Sequence, residues 1–353
     1  WNAGVIHFTC TVSGINSLAV IFWPLIKLFA IEQIYTWLIG IAFLVIVPLV
    51  AAVSLRIMGA SRTAAFTAAL LSLGVSRQYF MWLLHFGTVG ACFAAAFILP
   101  VAACVFRVFW TGRLNWKMAA ALVVSAVFLL GWPPGALMAG ALGLAAFINF
   151  RRWSRRKIIF LALCVAAVAL VHSRQLFLFL WQDEFVKYLM RGQAACASAA
   201  SPAAAAVVPG IFSRIFSADF ASGVMERLAS HFHEINPVII FLGIAGAAAF
   251  PMRSIRWWFL PPILFLAIAA TGGEILYPNL QLGRMAIPMT FLAVDPASIV
   301  VGKILDTKNV RLALIRAAVL SLLVLSGYYS WLNYANKMHP GTTFMGKQTR
   351  NLA

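Results

Sequence analysis

The stretch "GALMAGALGLAAFINFRRWSRRKIIFLALCVAAVALV", Gly135–Val171, sets two apolar runs on either side of "RRWSRRK". Arg151, Arg152, Arg155, Arg156 and Lys157 make five of those seven residues basic. Apolar runs of this length, with charge only between them, read as α-helices crossing a bilayer core of about 30 Å. In lipid every backbone polar group must find a partner inside its own segment, which a helix provides. A membrane β-barrel needs alternating polar and apolar residues, and none alternate here. A turn so rich in arginine marks the cytoplasmic side of a membrane protein.

The pattern continues outward along all 353 residues, which are 63% hydrophobic and 10% charged. A soluble domain carries roughly 25% charged residues. Spans are expected at about 34–55, 63–76, 87–109, 118–132, 134–150, 158–180, 237–252, 257–271, 284–302 and 312–332. The fold class is therefore all-α, a polytopic transmembrane bundle of about ten spans. Loops carrying Arg56 and Arg62, Arg107, Arg113 and Lys117, "RRWSRRK", Arg253 and Arg256, and Lys303, Lys308 and Arg311 hold 15 of the 27 basic residues. They alternate with base-poor loops holding Asp183, Glu184, Asp219, Glu226, Glu234 and Glu274. The first set is expected in the cytoplasm and the second outside. The net charge of +18 is then an orientation signal. Nucleic acid is not an expected partner, since no basic helix or aromatic-basic motif supports one.

Five regions follow. Residues 1–33 form an outer interfacial segment, for which the Trp, Phe and Lys of "INSLAVIFWPLIKLFAIEQIYTW" suit a helix lying on the membrane. Residues 34–180 and 237–332 hold the spans. Residues 181–236 form an outer loop with an Ala-rich centre between amphipathic pieces. Residues 333–353 are an outer tail. The chain starts at Trp1 without a Met, and both ends are expected to continue in a longer protein. Among five cysteines, Cys92, Cys104 and Cys164 fall inside apolar runs and read as packing residues. Cys10 and Cys196 would both lie outside.

Two stretches resemble the C-type (GT-C) membrane glycosyltransferases. "NSLAVIFWPLIKLFAIEQIYTWLIGIAFLVIVPLVAAVSLRIMGASRTAAFTAALLSLGVS" is similar to their interfacial helix, long span, short basic turn and short Ala/Leu-rich helix. "HFGTVGACFAAAFILPVAACVFRVFWTGRLNWKMAAALVVSAVFLLGWPPGALMAGALGLAAF" is similar to the bacterial multi-pass families of that superfamily. One of these is related to 6-pyruvoyl-tetrahydropterin synthase by an accessory domain. "LQLGRMAIPMTFLAV" resembles their late motif, in which Pro follows Arg by four residues. The resemblance covers most of the chain and rests on pattern. It implies inverting transfer of a sugar from a polyprenyl-phosphate donor to an envelope acceptor at the outer face. Membrane lipid and the lipid-linked sugar are the expected partners. The superfamily's catalytic carboxylate lies in the first outer loop, and "WNAGVIHFTCTVSG" holds none. No catalytic residue is named, and the base is expected outside this chain.

The candidate site is "GGEILYPNLQLGRMAIPM", Gly272–Met289. Arg284 suits a lipid phosphate, by bidentate hydrogen bonds. Glu274, Tyr277, Asn279 and Gln281 would read sugar hydroxyls. The plainer reading has Arg284 snorkelling to the interface and Glu274 solvated. His85 and Arg77, in "SRQYFMWLLHFG", extend the substrate-binding set or belong to an interfacial aromatic belt. No cofactor is expected. A divalent metal has weak candidates in His231, His233 and Glu234 of "HFHE". Two His at i, i+2 do not share a helical face, and no third strong ligand stands nearby. Asp183 and Glu184 read as a helix-terminal acid pair. Asp295 is an intramembrane acid, with a solvated helix end as the plainer reading. Two other functions stay open, a transporter or lipid flippase and a non-catalytic scaffold.

Overall fold

A computed structural model of the chain describes residues 24, 28–29, 31–76, 89–112, 114–132, 134–173, 217–249, 253–277, 282–307 and 313–337. Arg77, His85, Asn279, Gln281, Cys10, Cys196, Asp183 and Glu184 lie outside these residues. The described chain is helical, with one isolated antiparallel bridge between Ser76 and Ile235. The helices are α1 (Ile31–Ile41), α2 (Val47–Met58), α3 (Arg62–Ser72), α4 (Val89–Ala96), α5 (Ile98–Thr111), α6 (Trp116–Leu130), α7 (Gly135–Ile148), α8 (Arg155–Val171), α9 (Ala218–Glu234), α10 (Pro237–Ala249), α11 (Arg253–Ile268), α12 (Ala286–Asp306) and α13 (Ala313–Lys337). Every described part of an expected span is helical except for short breaks. One break is at Phe97, three residues before Pro100.

Among the described residues, three stretches are long and apolar enough to cross a membrane: Gly90–Thr111, Ile255–Leu276 and Leu282–Asp306. Ala42–Met58, Trp116–Leu130, Gly135–Ile148, Pro237–Ala248 and Ala313–Tyr328 are apolar but shorter. They follow the local sequence. Gly131 closes α6, Pro134 precedes α7, and Gly59, at φ 90°, closes α2. A φ of that sign costs glycine little and other residues much. Prolines also explain one of the two π-turns. Pro48 has no N–H for the carbonyl four residues back, and the wider turn Ala42–Ile46 ends just before it. The second π-turn, Ala269–Gly273, follows Pro261 and Pro262 of α11 by two turns.

α12 is the central helix. Almost all its residues from Ala286 to Gly302 are buried, including both sides of the helix. α3, α10 and α11 pack around it. Glycine and alanine let them approach closely. A Cβ added to Gly243 of α10 would lie 2.7 Å from the carbonyl of Ala293, and one on Gly302 2.8 Å from the Ala64 amide nitrogen. Small residues are how membrane helices bring backbones together, because apolar side chains gain nothing by leaving apolar lipid. A second layer of α2, α5, α6 and α7 packs outside this centre. Its aromatic seam joins Phe43, Phe93, Phe97 and Phe128.

The basic turns gather at one end. Arg107 points its guanidinium at the Met58 carbonyl, Lys157 donates to the Phe109 carbonyl and Asn149 to that of Trp257. Thr63 Oγ1 donates to Asp306 at 2.5 Å. The base-poor turns meet at the other end of α12, about 30 Å away for 21 residues at 1.5 Å each.

Candidate functional site

The base-poor end is knotted by backbone bonds. Asn236, fully buried, donates from its amide group to the Gly74 carbonyl at 2.8 Å and to Ser326 Oγ at 2.5 Å. Its own backbone N–H donates to the Val75 carbonyl at 3.1 Å. Ser76 Oγ donates to the Glu234 carbonyl at 2.7 Å. These bonds fasten the end of α3 to the junction of α9 and α10. Buried polar groups demand such partners, so the junction is fixed.

Next to it lies the predicted acid–arginine stretch. Glu274 follows the second π-turn, and its Oε2 accepts the Gly283 N–H at 2.8 Å. The carboxylate thus caps the 3₁₀ turn Leu282–Met285 that opens α12. Negative charge at a helix N-terminus is favourable. This is where the two readings of Glu274 part. It is half-buried and bonded, so it is a fastener of the turn that carries Arg284. Arg284 is half-buried and stands between two small clefts. One is lined by Ser76, Glu234, Ile235, Gly283 and Ile287. The other is lined by Ala91, Cys92, Ala95, Trp132 and Ile287. Each encloses only about 10 Å³, room for about one water and far below the roughly 300 Å³ at which small-molecule pockets begin. Tyr277 is exposed at the edge of this stretch.

His231 makes the other half of the junction. Its Nδ1 lies 3.1 Å from Glu234 Oε2 and its Nε2 2.9 Å from the Ala270 carbonyl. An ionised Glu234 and a carbonyl both accept hydrogen bonds, so the two contacts together favour the doubly protonated ring. Burial, the largest influence, opposes that charge, as does Arg227. The Glu234 hydrogen bond, the Ala270 carbonyl and the Glu234 charge outweigh them and hold the pKa above its ordinary value. The π-turn is what exposes the Ala270 carbonyl to a side chain. A protonated ring has no lone pair for a metal. Among the described residues no group of three His, Cys, Asp or Glu side chains gathers as metal ligands would. His233 lies on α9, and its side chain is outside the described set.

Of the two readings of Asp295, an acid inside a span and a solvated helix end, the structure removes the second. It sits in the middle of α12, fully buried, and neither carboxyl oxygen has a hydrogen-bond partner among the described residues. A solvated helix end does not describe it, because α12 runs eleven residues further, to Asp306. Cys92, Cys104 and Cys164 are buried and form no disulfide among the described residues. The structural parts that sequence reading missed are Ser76, Asn236 and the Ala270 carbonyl. "TGG" at Thr271–Gly273 was the available signal for an irregular turn.

Helices of this length and apolarity, with this packing, define an α-helical membrane protein. No family model, curated protein or solved structure matches the chain.

Proposed function

We propose that this protein is a GT-C-like membrane glycosyltransferase, or a large part of one, of about ten spans with its basic turns in the cytoplasm of a bacterium. It would take a sugar from a polyprenyl-phosphate carrier at the outer face and pass it to an envelope glycan, lipid or protein. The observation that carries the reading is the placement of Arg284. Five segments of the chain, around Ser76, Cys92, Trp132, Glu234 and Gly283, line the two clefts that share Arg284. It stands at the end of α12, where a helix that crosses the membrane would meet the lipid phosphates. A planar guanidinium suits that group better than an ammonium does. The shallow clefts fit a carrier whose tail stays in the bilayer. The catalytic carboxylate would come from outside this chain, as the resemblance implies.

The test supplies a radiolabelled polyprenyl-phosphate sugar to membranes holding the full-length protein. Arg284→Ala removes charge-assisted bonds of about 1.5–3 kcal/mol and is expected to lower transfer about tenfold to a hundredfold. Unchanged transfer removes Arg284 from the site. One observation favours a second reading, a transporter or flippase, which is the buried Asp295 at mid-span. Substrate flux that stops on Asp295→Asn in sealed vesicles, without sugar transfer, would select it.

A further inference from the structure

The "RRWSRRK" turn breaks a local rule. α8 begins with Arg155, Arg156 and Lys157, three cations at the positive end of a helix, with no acid in its first turn. Ser154 before them makes no capping bond. Like charges at this end are unfavourable. The structure relieves only part of the cost. Lys157 turns inward, donating to the carbonyls of Phe109 and Arg152 at 2.9 Å each. The Arg152 guanidinium lies 4.7 Å from the centre of the Trp110 ring. Arg151, Arg155 and Arg156 remain exposed, with no ion pair among the described residues. The acid at this end of α12, Asp306, is already taken by Thr63.

The same helix carries an apolar stripe below its arginines. Arg155, Ile159, Leu163, Ala166 and Leu170 follow one another at helical spacing and are all exposed. Ile159 is 49%, Leu163 66% and Leu170 75% exposed. The opposite face, with Cys164 and Val168, is buried. From Arg155 to Leu170 the helix rises about 22 Å, enough to pass one leaflet's hydrocarbon of about 15 Å. The turn is held in place, since the Trp153 indole N–H donates to the Ala146 carbonyl at 2.9 Å. A guanidinium cluster above a leaflet-length apolar stripe has the two parts of a phospholipid's complement. A free anion would need only the first.

We propose that α8 and the turn before it form a binding site for an anionic phospholipid, with the phosphodiester on Arg155 and Arg156 and the acyl chains along Ile159, Leu163 and Leu170. Each arginine near an anionic headgroup is worth roughly a fivefold preference.

The experiment is native mass spectrometry of the detergent-purified chain titrated with phosphatidylglycerol or phosphatidylcholine. Arg155→Gln is expected to cut the preference for phosphatidylglycerol about fivefold, and Arg155→Gln/Arg156→Gln about thirtyfold. Arg56→Gln/Arg62→Gln removes the same charge at the same end and is expected to change it less than twofold. Equal loss in that control would mean that net charge alone attracts the lipid, and would overturn the site. So would undiminished preference in the Arg155 and Arg156 variants. Displacement of phosphatidylglycerol by millimolar glycerol phosphate would show a free-anion site instead, which also overturns the lipid assignment. Should the double variant fail to fold, Arg155→Gln alone decides.

Discussion

Gly246→Ala tests the helix packing at its closest point. Gly246 of α10 faces α12, and a Cβ there would lie 2.6 Å from the Pro296 carbonyl oxygen and 3.0 Å from its carbon. These are backbone atoms, which cannot swing aside. Ordinary contact begins near 3.4 Å, so the helices must part by about 0.8 Å. A gap of that size forfeits roughly a quarter to a half of each dispersion contact across the seam. The seam includes Ile239, Leu242 and Ala247 on α10, all buried. Overpacking of this kind costs about 1–3 kcal/mol, against a helix gain of about 0.5–1 kcal/mol for replacing glycine. The net expectation is destabilisation by about 1–2 kcal/mol. Gly140 and Gly143 on α7 are exposed, with nothing within 4 Å of an added Cβ. The same substitution there should stabilise by about 0.5–1 kcal/mol. Reversible unfolding in mixed micelles, followed by circular dichroism, reads both signs. Gly243→Ala supplies a further check. Its Cβ would meet both the Ala293 side chain and the Ala293 carbonyl at 2.7 Å. Ala293→Gly removes only the first, so it should not restore stability. Equal stability of Gly246→Ala and Gly140→Ala would refute the reasoning.

The other predictions concern charge. His231 has its pKa raised in the folded protein, so its contribution is fully present below the ordinary imidazole value of 6.5. It is lost as pH rises through the higher folded value. Amide protection in α9 and the Ala269–Gly273 turn, corrected for the intrinsic base-catalysed rate, should therefore fall on the alkaline side, and His231→Gln should remove that fall. Corrected protection that is flat with pH in the parent protein would contradict a raised His231 pKa. Glu274→Ala takes away the acceptor of the Gly283 N–H and is expected to cost about 1–2 kcal/mol, with faster exchange at the start of α12. Asp295→Asn should change stability by less than about 1 kcal/mol. Breaking a buried ion pair costs about 3–5 kcal/mol, and Asp295 has no such partner among the described residues to lose.

Much of the fold was legible because lipid makes sequence simple. Apolar length, proline, glycine and the placement of arginine located the helices within a few residues, as at Gly131 and Pro134. Those signals are local. The packing of α12 was less legible, because alanine and glycine match any neighbour and name none. Gly302 against Ala64 is a contact between residues 238 positions apart, and neither residue type points to the other.

The candidate site shows the sharper limit. Arg284 and Glu274 were visible as charges in an apolar setting, and proximity in sequence suggested that they act together. The partner that Glu274 holds is a backbone N–H, and His231 holds a backbone carbonyl. Every residue but proline offers the N–H, and all offer the carbonyl, so composition cannot announce such partners. What selects them is local irregularity. The π-turn at Ala269–Gly273 frees the Ala270 carbonyl, and the 3₁₀ turn at Leu282–Met285 presents the Gly283 N–H. Both turns sit where α11 ends and α12 begins, beside the arginine. The acid is therefore spent on building the mouth, and the guanidinium is carried by what the acid builds. If that division of labour holds, Glu274→Gln, which keeps an acceptor for Gly283, should retain most of whatever headgroup binding Arg284 provides, whereas Glu274→Ala should weaken it. Equal loss in the two variants would mean that the carboxylate charge itself meets the ligand.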